Sequence, residues 1–314
     1  MNSLTKSKHV SRCLELAILL EASAHKPGNV SAVTNFEKTR YEHFLASAVA
    51  ASSSFESAAE RGIAVSEDRI DLSDVGVGQF IKTCVSDINA WQHGGNTLLG
   101  TVILLSPMAV AAGMTMLKER FDVPALRKNL KQVVESTTTK DAVDVYEAIR
   151  IANPSGLGKA PDLDINDPTA TERIIDQKIS LFEVFKIAEK YDTICSEWTK
   201  NYPVTFDLAY PSLTNRLRNS PDPGPGIVQT FLHVLAEVPD TFIARKTSIE
   251  KARQISLKAR EVVELGGVET SSGRKSLDKL DGELKESSNL LNPGTTADIV
   301  GAALALCTLA GYRP

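Results

Sequence analysis

The chain has 314 residues, 42% of them hydrophobic and 24% charged, and a formal net charge of −4. That length buries a sizeable core, and the hydrophobic fraction is that of an ordinary globular protein. A net-negative chain with 6% aromatics lacks the basic surface that binds nucleic acid or anionic membranes, and the ring platform that stacks single strands. A phosphorylated small molecule is not excluded, because it needs only a local basic patch.

The four cysteines, Cys13, Cys84, Cys195 and Cys307, lie far apart, with no C-x-x-C pair and no histidine cluster. The pattern offers neither a zinc site nor a disulfide framework and fits reduced thiols in a cytoplasm. Lys6, Lys8 and Arg12 precede an apolar stretch over 14–20 and then Ala22-Ser23-Ala24, the layout of a signal peptide. Glu15 interrupts that stretch, and Cys13, Leu16, Leu20 and Ala24 share one helical face, so it reads as a folded helix. Ser106-Pro107 breaks the most apolar run, which leaves no membrane-spanning segment.

In chain order, residues 7–24 are amphipathic and end at His25-Lys26-Pro27-Gly28, where the proline holds Lys26 out of the α region. Residues 40–62 carry an alanine-rich stripe with Phe44, Leu45 and Phe55. Residues 75–92 repeat the pattern with Val77, Ile81, Cys84 and Ile88. Next comes Gly94-Gly95-Asn96-Thr97-Leu98-Leu99-Gly100, opening an apolar run over 101–117 that reads as a buried helix. Thr97 is its expected N-cap, and a helix start behind glycines presents N–H groups to an anion such as phosphate. This helix reads as core, with a homodimer interface as the alternative.

Residues 124–152 predict one or two helices. The loop from Asn153 to Asp164 contains Gly156, Gly158 and Lys159 and superficially resembles a Walker A loop. Asn153 holds the first glycine position, Ala160 replaces the metal-binding hydroxyl, and a helix precedes it, so the pattern fails. Residues 171–200 read as one long helix, 205–218 and 225–237 as shorter ones around Ser220-Pro221-Asp222-Pro223-Gly224. Residues 241–265 are helical, 270–274 a loop, 275–287 a charged surface helix, and 297–309 the last helix. Strand signals are almost absent. The fold class expected is all-α, one multi-helix domain over 1–314 with a buried central helix.

Polar groups gather where helices begin or end: Glu21, Lys26 and Asn29; Asn96 and Thr97; Asp192 and Glu197; Asp240, Thr241 and Arg245; and the segment from Asn292 to Asp298. Each has a structural reading. Asp240 after Pro239 is a natural N-cap, Thr295 with Asp298 resembles a capping box, and Asp192 and Glu197 suit a solvated helix face.

The ordered set Glu21…Lys26-Pro27-Gly28-Asn29-Val30, Gly95-Asn96-Thr97…Gly100, Ala188-Glu189-Lys190-Tyr191-Asp192, Pro239-Asp240-Thr241…Arg245 and Asn292-Pro293-Gly294-Thr295-Thr296-Ala297-Asp298 is similar to triphosphoribosyl-dephospho-CoA synthases, across about residues 10–310. The resemblance implies an all-α enzyme that uses ATP as a glycosyl donor. It breaks the adenine–ribose bond, joins the triphosphoribosyl group to the 2′-hydroxyl of dephospho-CoA and releases adenine. It further implies Lys26 and Arg245 on the triphosphate with Gly28 allowing close approach, Asn29 beside them, and Asn96 and Thr97 on phosphate or ribose. Asp240, Asp298 and Glu21 are the catalytic candidates, and Asp240, Asp298 and Asp192 the expected Mg²⁺ ligands.

Leu98 and Leu99 stand where lyase-associated members carry His-Lys, Asn29 follows Lys-Pro-Gly in place of leucine, and Thr295-Thr296 replace Gly-Ser. The chain thus resembles a divergent branch, which opens the identity of the acceptor. The alternatives are a cofactor-biosynthesis transferase on another phosphorylated substrate, such as a pterin-type one-carbon cofactor precursor, or a non-catalytic nucleotide-binding helical protein.

Overall fold

The computed structural model describes residues 3–115, 121–158, 160–218, 221–286 and 290–314. The expected helix end at Leu117, Lys159 of the glycine-bearing loop, Ser220 of the breaker and Ser287 lie outside them. Among the described residues the fold is helical throughout, with a single isolated bridge between Ser31 and Thr34 and no strand. Among the described residues no helix is long and apolar enough to cross a membrane.

The first half is built from α1 (Ser3–Ser23), α2 (Tyr41–Ser66), α3 (Val77–Trp91), α4 (Leu99–Met114), α5 (Val123–Glu135) and α6 (Thr139–Ala152). The second begins with three short helices, α7 (Ala170–Asp176), α8 (Leu181–Ala188) and α9 (Thr193–Thr199), then a π-helical turn over Val204–Ala209 leading into α10 (Tyr210–Leu217). It ends with α11 (Pro223–Glu237), α12 (Thr241–Lys246), α13 (Ile249–Glu264), α14 (Ser271–Glu286) and α15 (Gly294–Leu309).

Two helices are apolar around most of their circumference, and both are core. Every residue of α4 from Thr101 to Gly113 is buried, as is every residue of α15 from Ile299 to Leu309. A helix apolar on all sides must be enclosed by others. Here α4 touches α2, α5 and α15, while α1 covers α2 and α15. Burial within the chain settles α4 as core and removes it as a homodimer interface. All four cysteines are buried free thiols.

Pro107 sits inside α4. Its missing N–H leaves the carbonyl one turn earlier, at Ile103, without its helical donor. The Trp198 indole N–H supplies one at 3.2 Å, and the Tyr202 hydroxyl donates to the neighbouring Leu104 carbonyl at 3.1 Å. Helix α9 is thereby docked at a defined height on α4. Glu197, fully buried one residue before Trp198, accepts from the N–H groups of Val204 and Thr205 at 2.9 Å each. It caps the π-helical turn and is no solvated surface residue.

Several expected elements divide. The helix predicted over 171–200 is three, broken at Lys178, which has φ +53°, and again before Asp192. Ser180 and Glu183 form a capping box at the start of α8, and Asp192 caps α9 with bonds from Ile194 and Cys195. The span 241–265 splits at Thr247, with Ser248 capping α13. The loop expected over 270–274 is mostly the first turn of α14.

Candidate functional site

A cavity of about 620 Å³ opens where the end of α1 and the starts of α4, α9, α12 and α15 converge. That volume lies within the range of pockets that take cofactor-sized ligands. Of the predicted residues, Glu21, Lys26, Asn29, Asn96, Thr97, Asp192, Arg245 and Asp298 line it. Gly28 and Asp240 do not.

The helix ends are tied to one another by carboxylates. Asp298 on α15 accepts the Thr101 hydroxyl at 2.6 Å and also the Thr101 N–H, so it caps α4 from outside. Gly100 makes room for this, since a Cβ there would overlap Asp298 Oδ2. Asp240 is 1% exposed. Its Oδ1 takes the N–H groups of Phe242 and Ile243 at 2.8 and 3.0 Å, and its Oδ2 takes the N–H and hydroxyl of Thr296 at 2.7 and 2.8 Å. One side chain therefore caps both α12 and α15. Asp192 caps α9 and pairs with Arg245 of α12. The Thr193 N–H donates to the Thr241 hydroxyl at 3.1 Å, which lies 3.3 Å from that of Thr295. The four helix starts form one latched row.

This geometry revises several expectations. Thr97 does not cap α4, because its hydroxyl meets Ser47 at 2.7 Å, and Asn96 accepts the Leu99 N–H at 3.1 Å instead. With Asp298 on Thr101 and Asn96 on Leu99, two of the first N–H groups of α4 are already taken within the protein. Thr295 and Asp298 form no capping box, since Pro293 precedes the first turn of α15 without a side-chain cap. Gly28 has φ +68° and is pressed against Leu284 and Pro293 behind the cavity, its N–H bonded to Asp281 at 2.9 Å. It serves packing, not the approach of a ligand.

Lys26 is buried at 1% exposure. Its ammonium pairs with Glu21 Oε1 at 3.1 Å and donates to the Glu21 carbonyl and to the Ala24 carbonyl, the latter at 3.0 Å. Two backbone carbonyls and the Glu21 carboxylate thus surround the ammonium, and the lysine positions Glu21. Asn29 Nδ2 donates to the Pro27 carbonyl at 3.1 Å and stiffens the same turn.

The expected metal set also fails to assemble. Among the described residues no group of three or more His, Cys, Asp or Glu side chains could hold a metal ion. Asp240 spends both oxygens on helix starts, and Asp192 is divided between its cap and Arg245, so neither has an oxygen pointing freely at a cation.

Asp298 and Glu21 are the acids left facing the cavity. Burial pushes the Asp298 carboxyl up to about 8, with the negative charges of Glu21 and Asp240 adding to it and the Thr101 bonds opposing. Burial also raises Asp240, against its four donors. A protonated acid thus stands near a carboxylate held by a lysine. Two carboxyls with environments that differ in this way divide acid and base roles at one pH.

The sequence reading gave no site role to Lys246, Phe242, Thr101, Gly100 or the loop residues Asn153, Pro154, Ser155 and Leu157, all at or behind the cavity wall. Lys246 directly follows Arg245, and its Nζ lies 3.9 Å from the Phe242 ring centroid. Burial brings it down to about 8. Leu98 and Leu99 line the cavity as well, with Ile103, Phe185 and Ile194.

A sequence profile of the CitG family, described as ATP:dephospho-CoA triphosphoribosyl transferase, matches residues 7–313. A crystal structure assigned as a triphosphoribosyl-dephospho-CoA synthase from Archaeoglobus fulgidus superposes with a TM-score of 0.61 at 24% identity, over 86% of this chain and 100% of that one. At that identity the likeness establishes a shared fold. No protein with a curated description matches the sequence.

Proposed function

The chain belongs to the ATP:dephospho-CoA triphosphoribosyl transferase family, and from that premise we propose how its cavity divides the work. The enzyme is an ATP-using transferase that moves a triphosphoribosyl group to dephospho-CoA. The roles of individual residues follow from the two acids at the wall.

Cleavage of the bond between ribose C1′ and adenine sends its electron pair to the purine, and protonation eases that departure. Asp298, protonated near neutral pH, gives that proton. Positive charge builds on the ribose ring, as in glycoside cleavage, and the Glu21 carboxylate faces it. The 2′-oxygen of the acceptor bonds to C1′ and its proton passes to Glu21, which Lys26 holds in place. Thr101 aims Asp298, and Asp240 fixes α15 against α12, so both are positioning residues. Asn96 and Thr97 border the ribose. Mg²⁺ arrives with ATP as its triphosphate complex, since that ion is commonly held by substrate phosphates more than by protein. Four buried free thiols accord with a cytoplasmic setting.

The observation that carries this reading is the pairing of a raised Asp298 with a lysine-held Glu21 at one cavity wall. The test is chromatography of free adenine after incubation with MgATP and dephospho-CoA. Adenine in proportion to a triphosphoribosylated product is the expected result, and adenine appearing only with another acceptor would reassign the second substrate. Leu98 and Leu99, apolar where lyase-associated relatives carry His-Lys, make a panel of phosphorylated acceptors, a pterin-type precursor included, the natural second assay. No adenine with any acceptor would leave a nucleotide-binding protein.

A further inference from the structure

The glycine-bearing loop that fails as a Walker A motif returns in the fold as a wall of the cavity. Helix α6 ends at Ala152, and Asn153 turns out of it with φ +42°, followed by Gly156 at +72° and Gly158 at +68°. Asn153, Pro154, Ser155 and Leu157 face the cavity. Among the described residues, the N–H groups of Ser155 and Gly156 meet no acceptor in the protein. Successive N–H groups around left-handed turns make a concave donor surface for anions.

This loop rests on the cationic helix. A Cβ at Gly156 would lie 2.6 Å from Lys246 Cγ, so the glycine lets the loop settle on the lysine stem. Beside it, Arg245 holds Asp192 with one arm, while its Nε–H has no acceptor. The rest of the cavity is a poor place for phosphate. Glu21 repels it, Lys26 lies against Glu21 and two backbone carbonyls, and Asp298 already sits on Thr101 at the start of α4. Adenine leaves C1′ whereas the triphosphate is attached at C5′, so the donor itself separates the acidic chemistry from the phosphate charge.

We propose that Lys246 and the 153–158 loop seat the terminal phosphates of the donor, the ammonium supplying charge and the loop N–H groups supplying direction. The inference rests on ATP being the glycosyl donor. It replaces Lys26 with a lysine on another helix and gives a binding role to a loop whose sequence pattern is that of no known phosphate motif.

The test is calorimetric binding of inorganic triphosphate to the full-length chain, with ATP kinetics alongside. Lys246→Met and Gly156→Ala are each expected to weaken triphosphate binding by about tenfold or more, the loss of a charge-assisted contact. The KM for ATP rises by a similar factor, while kcat at saturating ATP changes far less. Lys246→Arg, which keeps the charge, recovers most of the affinity and shows that the loss is not misfolding. Wild-type protein that fails to bind triphosphate, or a Lys246→Met variant that binds it as well as wild type, overturns the proposal. Triphosphate binding that responds to Lys246→Met without adenine release from ATP by the wild type would instead count against the transferase chemistry alone, leaving the anion seat in place.

Discussion

The two sides of the cavity are built on opposite principles. On one side, the starts of α4, α9, α12 and α15 are bound together by Asp298, Asp240 and Asp192, and nearly every polar atom has a partner inside the protein. On the other, the 153–158 loop and the segment carrying Phe36, Lys38 and Thr39 present exposed residues and unpaired N–H groups. The first side has little spare bonding capacity and so holds geometry. The second has it in excess and so can meet a ligand. A polar residue at a cavity wall is informative chiefly through what it has left after its internal bonds are counted.

Asp298 belongs to the first side by its bonds and to the chemistry by its proton, so it is where the contrast is most easily broken. Asp298→Asn should lower kcat for adenine release by about 10²–10⁴-fold, the usual span for a lost general acid. Circular dichroism should show the helices unchanged, because asparagine still accepts from Thr101. A loss below tenfold would move the proton to another donor.

Asp240 tests the latch without touching substrate. Asp240→Ala strips four donors of their acceptor in a buried site, and the expected cost is about 3–5 kcal/mol of stability, read from the urea midpoint. If the folded fraction retains turnover within a fewfold, Asp240 is structural as described. Trp198→Phe leaves the Ile103 carbonyl bare at the Pro107 gap and should cost about 1–3 kcal/mol by the same measurement.

The last test is a titration. Because the Asp298 carboxyl is raised from 3.8 to about 8 in the fold, the native state holds a proton there that the unfolded chain has released between those values. Stability from this group is complete below about pH 4 and is lost as pH rises through about 8. The acid it supplies to adenine disappears in the same direction. Adenine release should fall about tenfold per pH unit above 8, and Asp298→Asn should flatten both profiles.

Much of the helical framework was readable from periodicity, because α1, α2, α3, α4 and α15 are long and either striped or apolar throughout. The breaks at Lys178, before Asp192 and at Thr247 were not read, although the signal was present. Ser180-Leu181-Phe182-Glu183 is a capping box spelled out in the sequence, and its polar residues were absorbed into an apparently continuous amphipathic run. Eight of the ten residues proposed from motif order line one cavity. What residue identity does not carry is allegiance. Lys26 looks like a phosphate ligand until three nearby acceptors are found, and Asp240 looks like a base until two helix starts are found on it. Lys246 carried no motif of its own, and only the packing of a loop 90 residues earlier onto its stem draws attention to it.

Pro107 has a consequence that reaches the reaction centre. A proline in the most enclosed helix creates a vacancy that one indole, at one level, can fill, and so it writes an address into an otherwise featureless greasy rod. Smooth aliphatic surfaces tolerate sliding, and α9 would have many nearly equal resting places on α4 without that mark. Because α9 carries Asp192, and Asp192 grips Arg245, the address is passed on to the cationic helix at the cavity wall. A defect in one backbone thus sets the spacing of a charged site several side chains away.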